Sequence, residues 1–138
     1  MLKNSNKALP LKLPVGGGSG TGRFSHIVSP LDAVKAQAAR YGGLVQYVTN
    51  NTIVPNNSGL SSIAPSPPDV CLVFLKSWAP EGADYTSMVA GWNSTAVVEN
   101  MVSNCPITVV IFHGATPNVV PFALNSNVTA IIAAIILR

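Results

Sequence analysis

Hydrophobic residues in this chain gather into a few dense runs, separated by polar stretches rich in glycine, proline and asparagine. VCLVFL, Val70 to Leu75, is continuously apolar and predicts a strand buried on both faces. ITVVIFH, Ile107 to His113, predicts a second such strand, and VTAIIAAIIL, Val128 to Leu137, a third. Two other segments repeat at the helical period. In the first, Leu31, Val34 and Ala38 form a stripe. Ser29 is placed to cap it, Pro30 fits the first helical position, Asp32 completes a capping-box-like start, and Gly42-Gly43 supplies the stop. In the second, from about Ser94 to Ser103, Val97, Val98, Met101 and Val102 point inward behind a cap at Asn93 or Ser94. LVQYV, Leu44 to Val48, reads as a short strand, and Gly114 to Asn125 as a turn with a short helix.

Buried strand, helix, buried strand, short helix, buried strand is the pattern of a parallel α/β fold with crossovers of one hand. Residues 1–15 read as a flexible N-terminal arm and residues 16–138 as the domain. Asn50 to Asp69, rich in Asn, Ser and Pro, should be a surface loop.

Composition narrows the function classes. With 138 residues, 48% hydrophobic and 9% charged, the chain can bury a real core and does not resemble a disordered polymer. The net charge is +3, and three of the eight basic residues (Lys3, Lys7, Lys12) lie on the arm. No basic cluster interleaved with aromatics appears, so a nucleic-acid partner is not expected. The last apolar run is too short to span a bilayer, so neither is a membrane partner. The N-terminus, interrupted by Lys and Pro, contains no signal-peptide core. Asn50, Asn56, Asn93 and Asn127 head N-x-[ST] sequons. Cys71 and Cys105 permit at most one disulfide; their positions at or just before strands favour two buried thiols.

Ligands of open parallel sheets gather beyond the carboxyl ends of the strands. Two loops leave such ends here, one carrying Glu81 and Asp84, the other starting at His113-Gly114. Of the five carboxylates, Asp32 is explained by a helix start, Glu99 by an exposed helix face and Asp69 by a polar strand entry. Glu81 and Asp84 remain, flanked by Trp78 and Tyr85. A carboxyl group beside an aromatic wall can act as a general acid, and rings offer flat faces to sugars. The glycine stretch GGGSGTGRF lacks the Lys and Ser/Thr of a phosphate-binding loop. Two His and two Cys occur without ligand spacing, so no metal or other cofactor is expected.

Taken in order, four stretches resemble one family. VGGGSGTGRFSHIVSPLDAVKAQA resembles the Gly-Ser-Gly loop and first helix of the fungal-type family 3 glycoside hydrolases, the β-glucosidases. DVCLVFLKSWAPEGADYTS resembles their strand and acid/base loop, WNSTAVVENMVSNCPITVVIFHG the helix and strand that follow, and NVTAIIAA the next strand. The resemblance implies a three-layer α/β sandwich with a mostly parallel sheet flanked by helices, here truncated. It implies a retaining enzyme that removes terminal β-D-glucosyl residues of the kind met in cellulose and other polysaccharide breakdown, secreted and glycosylated. It assigns the acid/base to Glu81 and weaker substrate contacts to Trp78, Asp84 and Tyr85. The nucleophile would be an Asp of a separate preceding (β/α)8 barrel, so this chain alone is expected to be inactive. Pro80 departs from the family's Gly before the Glu, and Tyr85 stands where relatives carry Arg. The alternative is a non-catalytic carbohydrate-binding or interaction domain, with Trp78, Trp92 and Tyr85 as stacking rings.

Overall fold

In the computed structural model the described residues are 25–52, 54, 68–77, 82, 84–114 and 116–135. The arm, the glycine stretch, Asn56, Trp78, Pro80 and Glu81 lie outside them. Helix α1 (Pro30–Arg40) starts at the expected cap. The Ser29 hydroxyl accepts the Asp32 amide at 3.1 Å and donates to the Asp32 carboxylate. The stop is equally local: Gly42 takes φ 68°, and the Tyr41 and Gly43 amides bond back to the Ala38 carbonyl. No residue of α1 is buried, so its apolar stripe is only half covered and its caps carry much of its definition.

The remaining elements form a layered α/β unit. Strands β1 (Cys71–Lys76), β2 (Thr108–Gly114) and β3 (Val128–Ile135) make a fully parallel sheet in the order β1-β2-β3. Helix α2 (Ser94–Asn104) connects β1 to β2 and packs on both. Its N-cap, Asn93, makes no side-chain cap bond; the Ser94 hydroxyl donates instead to the Gly91 carbonyl. Val97, Val98 and Val102 of α2 meet Val73 and Leu75 of β1 and Val110 and Phe112 of β2 in one core. Val98 and Val110 have no exposed surface.

Four expectations change. The β2–β3 connection holds a turn over residues 121–124 in place of a short helix, closed by bonds from Ala123 to Val120 and from Asn125 to Phe122. That turn drops Phe122 into the core, its ring stacked on Phe112 at 6.2 Å and 11°. Residues 44–48 form no strand, because among the described residues none pairs with them in a ladder; Val48 packs against the core as irregular chain. Strands β1 and β2 are buried on one face only, and β3 is exposed from residue 129 to 134. The other face displays Leu72 (41% exposed) on β1 and Ile132 (52%) on β3. Both connections of a 1-2-3 parallel sheet fall on one side when the crossovers share a hand, so continuous apolar strands did not guarantee two covered faces.

The cysteines are the fourth correction. Cys71 and Cys105 are joined in a disulfide, with Cα atoms 6.2 Å apart. Cys71 opens β1 and Cys105 follows the end of α2. A crossover helix runs back along its strand, which places its last residue beside the strand's first. Sequence spacing alone did not reveal that return.

Candidate active-site edge

The carboxyl edge of the sheet is where β1 and β2 release their loops. β1 ends at Lys76, and the next residue, Ser77, is 2% exposed. Its amide donates to the His113 carbonyl at 3.1 Å, extending the ladder by one rung. Beside it, β2 ends in Gly114, where an added Cβ would lie 1.9 Å from the Ser77 hydroxyl. A side chain there would force the Ser77 hydroxyl to turn away from Asn118, so glycine is what lets the present arrangement stand. Asn118, in the loop after β2, donates from Nδ2 to the Thr116 carbonyl at 2.8 Å and to the Ser77 hydroxyl at 3.4 Å. Asn118 Oδ1 and Thr116 Oγ1 are buried here without a partner. Further along, Val89 bridges Val119 in parallel fashion, and the Val119 amide donates to the Met88 carbonyl at 2.8 Å.

The loop from β1 therefore leaves Ser77 and returns at Met88 under contacts from a single short segment, 114–119. Among its described residues, Gly82 takes φ 78°, Asp84 is exposed and Tyr85 is half-buried. Asp84 and Tyr85 belong to the loop that leaves β1, whereas Glu81 and Trp78 lie outside the described residues. The other described carboxylates stand elsewhere: Asp32 caps α1, Glu99 is exposed on α2, and Asp69 precedes β1 at the opposite edge.

A second aromatic feature lies next to this edge. Trp92 and Asn93 both take φ 57°, an unusual left-handed pair without glycine. Asn51 donates to the Trp92 carbonyl at 2.8 Å and pins that turn. The Trp92 indole is 51% exposed, with Lys76 Nζ 4.6 Å from its ring centre. Lys76 neighbours His113 across the ladder, and His113 meets the Phe74 ring edge-on at 6.1 Å. Sequence reading named Trp92 as a ring candidate and put His113-Gly114 at a strand end, but missed Ser77, Asn118 and Lys76. Only the glycine at the end of the second strand carried a usable signal.

Three sequons fall on described residues. The Asn50 side-chain oxygen accepts the Thr52 amide and hydroxyl, Asn93 is exposed, and Asn127 Nδ2 donates to the Val102 carbonyl at the end of α2. Among the described residues no group of three or more His, Cys, Asp or Glu side chains could hold a metal ion, and no helix is long and apolar enough to cross a membrane.

Comparison with known proteins supplies the remaining constraint. The family profile of the Glycosyl hydrolase family 3 C-terminal domain matches residues 1–137. The probable beta-glucosidase G of Aspergillus flavus is 42% identical over 97% of this chain and 20% of its own length. The probable beta-glucosidase M of Emericella nidulans is 37% identical over 88% of this chain and 15% of its own. A family 3 β-glucosidase structure from Neurospora crassa superposes with a TM-score of 0.76 at 26% identity, over 86% of this chain and 15% of that one. The chain thus spans about a fifth or less of the length of these curated relatives.

Proposed function

The chain belongs to glycoside hydrolase family 3 as a stretch of its C-terminal domain, and on that premise we propose that it is the acid/base-bearing part of a retaining β-glucosidase. The observation that supports this reading is placement. The stretch matching the family's acid/base loop leaves the carboxyl end of β1, and its two ends are held by the loop that leaves β2. Glu81 is the acid/base. As an acid it gives its proton to the glycosidic oxygen while a nucleophilic carboxylate attacks the anomeric carbon and the aglycone departs. As a base it then takes a proton from water, which releases glucose and regenerates the acid. Such a pair must stand about 5 Å apart. The second carboxylate comes from a barrel domain, and Trp78, Asp84 and Tyr85 line the sugar's approach.

One carboxylate without its partner cannot carry out a double displacement, so the purified chain is expected to leave an aryl β-glucoside intact. Turnover that Glu81→Gln abolishes would contradict that expectation. The role itself is tested by splicing this segment into the matching place of the probable beta-glucosidase G of Aspergillus oryzae. There Glu81→Gln should lower kcat/KM about 10²- to 10⁴-fold for a poor leaving group, which needs the proton. It should cost much less for dinitrophenolate, and azide should restore turnover. Equal losses on both substrates would remove the acid/base assignment.

The reading extends to location. A disulfide persists in oxidising compartments, so the Cys71–Cys105 bond fits an extracellular enzyme, with glycans on the exposed Asn93 and on Asn50. A second reading rests on Trp92: a half-exposed ring on a turn that Asn51 holds through the Trp92 carbonyl would let the domain bind sugar without hydrolysing it. Calorimetric titration with cellobiose separates the two, since millimolar binding lost in Trp92→Ala favours this role.

A further inference from the structure

We propose that Asn118 is a positioning residue for the acid/base loop, bracing both of its ends through the segment that leaves β2. The proposal rests on the reading of that loop given above, but the brace is built entirely from described residues. At the loop's start, Asn118 Nδ2 reaches the Ser77 hydroxyl, while Gly114 gives Ser77 the room to lie flat against β2. At its end, the residue after Asn118 pairs with Val89 and donates to the Met88 carbonyl. The same side chain ties its own turn by donating to the Thr116 carbonyl. Asn118 therefore links a buried hydroxyl at one end of the loop to a backbone bridge at the other.

Its chemistry argues for this role. Asn118 Oδ1 is buried without a partner, so the position bears the desolvation of an amide oxygen. An apolar residue would avoid that loss, and what it could not supply is the pair of N–H bonds. A catalytic acid needs its loop held to about half an ångström, which two anchors on one short segment provide.

The test uses the full chain and NMR. Asn118→Asp is nearly isosteric but exchanges the two-proton donor for an acceptor; Asn118→Ala removes both. In each variant the amides of Ser77 and Val119 should exchange with solvent at least about tenfold faster, and the order parameters of Asp84 and Tyr85 should fall below about 0.6. The amides of Val73 and Val110 in the strands should keep their rates, which a general loss of stability would not allow. Unchanged rates at Ser77 and Val119, or equal acceleration in the strands, overturns the proposal. The same measurements in Glu81→Gln should match the unsubstituted chain, so the brace can fail or stand independently of the acid/base assignment.

Discussion

Gly114 shows how little of a site can be read from residue type alone. Its position at the end of an apolar run marked a strand end, but its reason is the Ser77 hydroxyl, 1.9 Å from where a Cβ would be. Gly114→Ala should therefore destabilise the chain by about 1–3 kcal/mol, the usual range for overpacking, measured by urea unfolding. A neutral outcome would mean that Ser77 can rotate away freely. Glu81 and Asp84 emerged from elimination among few carboxylates. Ser77, Asn118 and Lys76 did not, because polar side chains gain their meaning from neighbours 41, 41 and 16 positions away in the chain. Nothing in the sequence marks Trp92 as left-handed; the Asn51 bond that holds it there also spans 41 residues.

At the level of elements, local signals succeeded where the controlling contacts were local. Ser29, Pro30, Asp32 and Gly42 define α1 within one turn at each end, and both ends were legible. Since α1 buries no residue, Ser29→Ala should cost about 1 kcal/mol of helix stability and reduce far-UV helical circular dichroism while β1 and β2 persist. The segment 44–48 had a strand's composition without a ladder partner among the described residues, and the 121–124 turn had a helix's place without its length. The disulfide is the clearest case of contact beyond the element. It joins residues 34 apart, for which the chain-entropy model gives about 3–4 kcal/mol of stabilisation. Replacing both cysteines by serine should lower the unfolding free energy by that amount. If reduction leaves the urea midpoint unmoved, the bond is not a staple.

For the whole molecule, the asymmetry of the sheet dominates. One face carries α2, Phe122 and the core, though Ile131 of β3 on that face is still 38% exposed; the other shows Leu72 and Ile132 to solvent. Phe122→Ala should cost about 3–5 kcal/mol, since it empties a filled site on the covered face. Ile132→Ala on the open face should cost under about 1 kcal/mol, and calorimetric unfolding of the two variants checks the contrast. The sequence alone determined the order of strands and helices, the parallel pairing and the edge where loops gather. Each follows from periodicity, caps and crossover geometry, which act within neighbouring residues. Tertiary structure alone decided which face is covered, that the two thiols meet, and that the segment leaving β2 touches both ends of the loop that carries Glu81, through Asn118 at Ser77 and Val119 at Met88. Those depend on where distant segments come to rest, and packing in three dimensions sets that distance.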